Sequence, residues 1–381
     1  MNELVRHQLD ILLKDVKRVV IKIGTRIIDD EKTRFNRPVM ESIAAEIAGL
    51  RQKGIEVLLV SSGAVGAGIR ALKVKGRPTS IHLRQAYAAV GQGQLMNLYA
   101  ELFGRHGIIP AQVLLTRSDL DRRQSYLNAN ETLQHLLTIG VLPIINENDT
   151  VSTDELKFGD NDQLAALVAG KMNAGLLLLL TTEDGVYREF QAGGQCHGLI
   201  EVIDNDIDAI LAHVKDSQNP LSMGGMRSKL TAGKIASAKG IPVVIANGLR
   251  TGIIGELFSG KAHATWIMPA KKRMAAWKYY LAFAKSPSGA KVVVDDGAAV
   301  AIRENGKSLL ASGIRDTIGH FQVKDLVQIT SLSGQEIARG LVNFSSSDLR
   351  RIQGRSSEEI REILNTGKSA VVVHRNNLVL L

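Results

Sequence analysis

This sequence predicts an α/β fold, a mostly parallel sheet sandwiched by helices, followed by a small β-rich C-terminal domain. Three observations carry that expectation. Up to about residue 250 the chain alternates short apolar runs with longer amphipathic stretches. The apolar runs are continuous, as parallel strands covered on both faces should be, and lack the in–out alternation of a half-exposed sheet. Past Met268-Pro269 the pattern changes to short β-type runs separated by turns.

Residues 19–23, 57–60, 141–145, 176–180 and 241–246 read as strands, and 39–53, 83–103, 129–138 and 163–169 read as helices between them. Alternation of this kind builds a parallel sheet, whose ligands collect beyond the carboxyl ends of its strands. The first domain is placed at 1–268. A charge run, Lys271-Lys272-Arg273, and a Gly- and Ser-containing stretch, 286–289, then mark a boundary. The second domain, 275–381, carries β-type runs at 291–294, 326–330, 337–344 and 370–374.

Composition narrows the class. Hydrophobic residues make up 45% and charged residues 22% of the 381, ordinary values for a globular protein with a sizeable core. The longest apolar block, around 174–180, is far short of the roughly 20 residues that span a bilayer. The N-terminus mixes charge with apolar residues and has no signal-peptide core. The single cysteine, Cys196, offers neither an intrachain disulfide nor a thiolate cluster. A cytoplasmic protein without a membrane partner is expected. The net charge of +9 is unevenly spread: residues 271–381 hold 17 Lys/Arg against 10 Asp/Glu, so the basic excess lies almost wholly in the C-terminal third. A basic domain suits RNA or acidic partners, and equally a well-charged soluble surface.

Five strand-end bursts of Gly and polar residues carry the chemistry. In Lys22-Ile23-Gly24-Thr25 a lysine tips an apolar strand. It is either a cation held against phosphate or a side chain snorkelling into water. The turn Ser61-Ser62-Gly63-Ala64 opens a helix and offers backbone N–H groups to an anion. Gly66-Ala67-Gly68 fits a dinucleotide fingerprint only loosely, because no Asp or Glu occurs from Val57 to Ala100 to grip a ribose. Asn146-Glu147-Asn148-Asp149 and Lys157-Phe158-Gly159-Asp160-Asn161-Asp162 pack amides and carboxylates densely. Such alternating donors and acceptors suit a zwitterion. A calcium loop is the competing reading, but its position-six glycine and terminal glutamate are absent. Thr181-Thr182-Glu183-Asp184-Gly185 is either an Asp-Gly turn or an adenine- and ribose-binding loop. Met223-Gly224-Gly225-Met226-Arg227-Ser228-Lys229 is no Walker loop, yet it joins glycines, a helix start and a second lysine.

In this order and at these spacings the bursts resemble the amino acid kinase family. Thr116-Arg117-Ser118-Asp119-Leu120, Tyr126-Leu127-Asn128-Ala129 and the 146–149 run are similar to its branch that phosphorylates the side-chain carboxylate of glutamate. The C-terminal third resembles a PUA domain through Asp296-Gly297-Ala298, Lys307-Ser308-Leu309-Leu310, Ala338-Arg339-Gly340 and Val373-His374-Arg375. The resemblance implies that Lys22 and Lys229 hold the transferring phosphate and that Asp162 orients them. It implies that Ser62, Gly63, Asn146, Asp149 and Asn161 bind glutamate. Thr181, Thr182 and the loop from Met223 through Gly224, Gly225, Met226, Arg227 and Ser228 to Lys229 would hold ATP, with Lys22 also touching it. Two departures stand out: many relatives have Asp where this chain has Thr182, and a Thr-Gly pair where it has Ser222-Met223.

Further implications are Mg²⁺ carried with ATP, a reductase that consumes the glutamyl phosphate on the route to proline, proline as feedback inhibitor, and a homo-oligomer. The acceptor carboxylate, with a pKa of about 4.3, is already ionised, so no general base is required. The chemical task is bringing two anions together, which is electrostatic. Another amino acid kinase, acting on aspartate, acetylglutamate, carbamate or a nucleoside monophosphate, fits the 146–149 run and the C-terminal third less well. An RNA-binding or RNA-modifying protein leaves the five bursts unexplained.

Overall fold

The computed structural model describes every residue except 1–2, 31–33, 75, 77, 79, 117–118, 121–122, 152–160, 191–195, 205, 214–224, 271–277, 279–280, 283–288, 365–369 and 381. The chain divides into two compact units, Met1–Arg273 and Met274–Leu381. The charge run at 271–273 and most of the 286–289 stretch lie outside the described residues.

The first unit is built on an eight-stranded sheet. Its strands are β1 (Arg18–Ile23), β2 (Glu56–Val60), β3 (Pro110–Leu115), β4 (Leu142–Glu147), β5 (Leu176–Thr181), β6 (Val202–Ile203), β7 (Val243–Asn247) and β8 (Thr265–Ile267). They run in the order β6-β8-β7-β5-β1-β2-β4-β3. The six strands from β7 to β3 are mutually parallel, and β8 is antiparallel to β7. The helices that matter below are α1 (Glu3–Lys14), α2 (Arg37–Gln52), α3 (Ala64–Ala71), α4 (Ile81–Gly104), α5 (Arg123–Thr138), α6 (Asn161–Lys171) and α7 (Met226–Ala238).

Strand side chains alternate between two faces, and here both faces are buried. Val19, Ile21, Val57, Leu59, Leu176 and Leu178 share one cluster with Leu9 of α1, Ile43 of α2 and Leu95 of α4. The alternate residues Val20, Leu58, Leu177 and Leu179 are just as inaccessible, on the face where α6 packs against the central strands. That double burial is why these strands read as unbroken apolar runs. It was less visible in β3, an edge strand that opens on Pro110 and contains Gln112. Proline is tolerated at the first position of an edge strand, but it hides the strand from a hydrophobic pattern. Helix α1, whose Leu9 and Leu13 join the core, was likewise not anticipated.

Helix α4 begins where Ser80 accepts the Leu83 N–H at 3.3 Å, a side-chain cap of the usual kind. It crosses α3 at backbone contact. A Cβ on Gly91 would lie 1.8 Å from the Ala64 carbonyl oxygen, and one on Gly68 would lie 1.8 Å from that of Tyr87. Neither neighbour is a flexible side-chain tip, so the helices would have to separate. Gly91→Ala is therefore expected to destabilise the protein by about 3 kcal/mol, the upper range for overpacking. Gly93→Ala, with nothing within 4 Å of the new methyl, should be neutral or slightly stabilising because alanine is the better helix former. Thermal unfolding of the two variants side by side checks the contact.

The second unit contains a six-stranded sheet of β9 (Lys291–Val294), β10 (Leu309–Leu310), β11 (Ile314–Ile318), β12 (Leu326–Ser331), β13 (Glu336–Val342) and β14 (Val371–Leu380), ordered β10-β14-β13-β12-β9-β11. Helices accompany it, among them α8 (Asp296–Arg303), α9 (Ser346–Ile352) and α10 (Ser357–Leu364), where the sequence suggested only turns between β-type runs. The sequence-predicted run at 337–344 ends as a strand at Val342, and the one at 370–374 continues to Leu380. Five arginines of this unit are engaged internally. Arg350 donates to the Thr317 and Gly319 carbonyl oxygens, Arg351 to that of Ile363 and Arg339 to that of Ala282. Arg315 and Arg355 pair with Asp295 and Glu359.

Candidate active site

The polar bursts of the first unit fall at the carboxyl ends of β1, β2, β4 and β5 and at the starts of α3, α6 and α7. Strand register sets them side by side. Lys22 lies opposite Val60 of β2 and Leu179 of β5, and Val60 lies opposite Ile145 of β4.

Two clusters result, joined through consecutive residues of α6. In the first, Asp162 is fully buried, with Lys22 and Lys229 only 3% and 5% exposed. Lys22 Nζ lies 2.6 Å from Asp162 Oδ1, and Lys229 Nζ lies 3.1 Å from Oδ2. One carboxylate thus bridges two ammonium groups, leaving the trio with a net positive charge. Asp162 occupies the first turn of α6, where the helix dipole favours an anion. Gly24 follows β1 and donates to the Leu180 carbonyl oxygen at 3.3 Å. A Cβ there would sit 3.3 Å from that oxygen and 3.8 Å from Lys22 Nζ, which explains a glycine beside the lysine.

In the second cluster Asn161 Nδ2 donates to the Ser61 carbonyl oxygen at 2.6 Å and to Asn146 Oδ1 at 2.8 Å, with Ser62 Oγ at 3.2 Å. The carbonyl Oδ1 of Asn161 is buried with no hydrogen-bond partner, and so is Ser228 Oγ, one residue before Lys229. Buried polar atoms are normally paired, so each of these two has an open place for a partner. Gly63 has φ +93° and caps α3, a left-handed conformation that suits glycine. It turns the chain so that the first N–H groups of α3 follow the strand end.

The other sequence-predicted residues sit around these clusters. Asp149 is half-buried in the turn after β4, while Thr181 ends β5 and Thr182 follows it. Gly225 caps α7, Met226 begins it, and Arg227 is exposed on it. Met223 and Gly224, with Ser222 and the 157–160 part of the third burst, lie outside the described residues. Asn146, expected just past a strand, belongs to β4 itself, and α6 starts two residues before the expected 163.

Three groups escaped the sequence. Gln92 and Tyr99 of α4 reach the second cluster: Gln92 Oε1 accepts from Asn146 Nδ2 at 2.9 Å, and the Tyr99 hydroxyl lies 2.8 Å from Ser61 Oγ. Burial pushes the Tyr99 phenol well above its usual pKa, so the hydroxyl stays neutral. Asp29 and Arg70 form a partly buried ion pair, and a Cβ on Gly66 would lie 2.9 Å from Asp29 Oδ2. Burial raises the Asp29 pKa while Arg70 pulls it down.

Comparison with known proteins adds two findings. A model of the amino acid kinase family matches residues 17–247, and one of the PUA domain matches residues 290–364. A protein of Geobacter metallireducens named glutamate 5-kinase is 44% identical over 370 residues, covering 97% of this chain and 99% of that protein. Proteins of the same name from Thermoanaerobacter sp. and Thermus thermophilus are 41% and 42% identical, the chain being covered to 96% in each case and the relatives to 98% and 97%.

Proposed function

We infer the roles of individual residues from one premise: the chain belongs to the amino acid kinase family and, within it, to the glutamate 5-kinases. The reaction is the transfer of the γ-phosphoryl group of ATP to the side-chain carboxylate of glutamate, the first step of proline synthesis. We propose that Lys22, Asp162 and Lys229 are its phosphoryl-transfer centre. The observation that carries this is the fully buried carboxylate held between two nearly buried lysines at the strand ends.

In the step, a carboxylate oxygen of glutamate forms a bond to the γ-phosphorus while the bond from that phosphorus to the β–γ bridging oxygen breaks. ADP leaves with the electron pair. The acceptor is already ionised at neutral pH, so no proton has to be removed. The barrier comes from the approach of two anions and from charge on the equatorial oxygens, which fixed cations offset. Lys22 and Lys229 supply those cations. Asp162 sets their spacing, so little reorganisation is needed as the charge develops. We assign Ser62, Gly63, Asn146, Asp149 and Asn161 to glutamate: carboxylate and amide oxygens for its ammonium group, and the glycine turn's N–H groups for a carboxylate. Thr181, Thr182 and the 223–229 loop are assigned to ATP, with the unpartnered Ser228 hydroxyl as support.

Magnesium fits this site as a passenger of the nucleotide. Among the described residues no group of three His, Cys, Asp or Glu could hold a metal ion, and Asp162 already faces two lysines. Mg²⁺ sheds water reluctantly and commonly binds through substrate phosphates; there it would offset their charge. We further propose proline as a feedback inhibitor in the glutamate pocket, a reductase as consumer of the acyl phosphate, homo-oligomeric assembly in the cytoplasm, and an accessory role for residues 275–381. Among the described residues no helix is long and apolar enough to cross a membrane.

Asp149→Ala tests the substrate assignment. KM for glutamate should rise by at least about tenfold, the scale of one lost charged hydrogen bond, with KM for ATP little changed. Equal effects on both substrates in steady-state assays would count against it.

A further inference from the structure

Gln92 belongs to the second cluster, and its position there is informative. It lies on α4, 8% exposed, held against the strand ends by the Gly91 and Gly68 contacts that bring α4 and α3 together. Its Oε1 is a hydrogen-bond acceptor for Asn146 Nδ2 at 2.9 Å. Asn146 is thereby turned so that its own Oδ1 accepts from Asn161 Nδ2 at 2.8 Å and from the Glu147 N–H at 2.9 Å. Asn161, with its NH₂ directed at Asn146 and at the Ser61 carbonyl oxygen, keeps its carbonyl oxygen buried and unpartnered.

We propose that Gln92 is a positioning residue for glutamate binding, fixing through Asn146 which way the Asn161 amide faces the substrate. The inference rests on the reading of Asn161 as a glutamate ligand. The physical reason is that a terminal amide rotates between two nearly equivalent orientations. Its oxygen and nitrogen are therefore sorted by their partners alone. With Gln92 in place, each donor in the series meets an acceptor, and the atom left over at the end is an oxygen. An ammonium group is the ligand that an unpaired oxygen suits. Without the Gln92 acceptor, the Asn146 amide is left with an unpaired donor in a buried place, and the advantage of its present orientation over the turned one shrinks. Turned over, it would present a donor to the Asn161 donor, and the Asn161 oxygen would be drawn away from the substrate. The Glu147 N–H and Ser61 carbonyl contacts oppose that turnover, so the effect should be a weakened site and not an abolished one.

The test measures KM for glutamate, KM for ATP, kcat and thermal unfolding of the full-length enzyme. Gln92→Leu should raise KM for glutamate about tenfold, as expected of one misdirected buried hydrogen bond, and leave KM for ATP within about twofold. Gln92→Glu keeps an acceptor at the same reach and should stay within about threefold of the parent. In an Asn146→Ala background, Gln92→Leu should change KM for glutamate less than about twofold, because the residue it acts through is gone. Gln92→Met serves in the same comparison if the leucine variant is insoluble. An unchanged KM for glutamate overturns the inference, as does a tenfold rise that persists in the Asn146→Ala background or a loss of stability with both KM values unaltered. Asn161→Ala separates the two readings. If it leaves KM for glutamate unchanged, the ligand assignment fails and the inference with it. If it raises KM while Gln92→Leu does not, only the role of Gln92 is lost.

Discussion

Lys22→Met and Lys229→Met are each expected to lower kcat by at least about 10²-fold, the scale of losing one preorganised donor to a developing charge. Methionine keeps an unbranched side chain of similar length, so the change removes the ammonium group and little volume. Stability should suffer far less than activity. In either variant Asp162 retains the other lysine at the distance it has now, 3.1 Å to Lys229 or 2.6 Å to Lys22, and no charge is left buried alone. The effect should appear in kcat because the charge to be offset grows as the two anions approach. Single-turnover rates with both substrates saturating measure that step directly. A change confined to KM would mean that these lysines bind ATP without stabilising the transition state.

That the lysines were visible in the sequence at all follows from where they stand. Lys22 ends a run of apolar residues and precedes a glycine, and Lys229 follows a glycine pair at a helix start. Both are departures from a periodic pattern, and such departures are what a sequence displays. The five strands read from apolar runs were visible for the related reason that both their faces are buried. Gln92 and Tyr99 departed from nothing. A polar residue on a long helix reads as part of its solvated face, and apolar residues on the exposed side, Leu83 and Val90 among them, blur the stripe on which Gln92 and Tyr99 are buried with Leu95, Leu98 and Leu102. The one local hint was Gly91-Gln92-Gly93, since glycine within a helix costs about 1 kcal/mol relative to alanine and invites a packing explanation. Which of the two glycines has that explanation emerges only in three dimensions, where Gly91 meets the Ala64 carbonyl oxygen and Gly93 meets nothing. In the second unit α8 opens on Asp295-Asp296-Gly297 and α9 on a serine run, which resemble turns until their side chains are seen capping a helix: Asp295 accepts the Ala298 N–H at 2.8 Å.

Asp162→Asn should be the most damaging single substitution in the first unit, and the damage should be of a particular kind. The carboxylate is fully buried and is the anion between two nearly buried ammonium groups. An amide of the same shape offers one acceptor where there were two, and removes the negative charge that bridges the two ammonium groups. Breaking a buried ion pair by neutralising one partner costs about 3–5 kcal/mol, mostly because the remaining charge is uncompensated. The unfolding midpoint should fall accordingly, and kcat with it, since the lysines lose the group that sets their spacing. Adding ATP then separates electrostatics from simple misfolding. The nucleotide brings negative phosphate oxygens to the two lysines, which supplies charge that the amide does not, and a ligand that binds only the folded state raises stability by an amount that grows with its affinity. The ATP-induced rise in unfolding temperature should therefore be larger in Asp162→Asn than in the parent, measured by calorimetry at equal nucleotide and Mg²⁺. Inorganic phosphate should reproduce part of that rise. An ATP shift equal to or smaller than the parent's would mean that the carboxylate does more than neutralise the lysines, and that the phosphates are not bound where this geometry puts them.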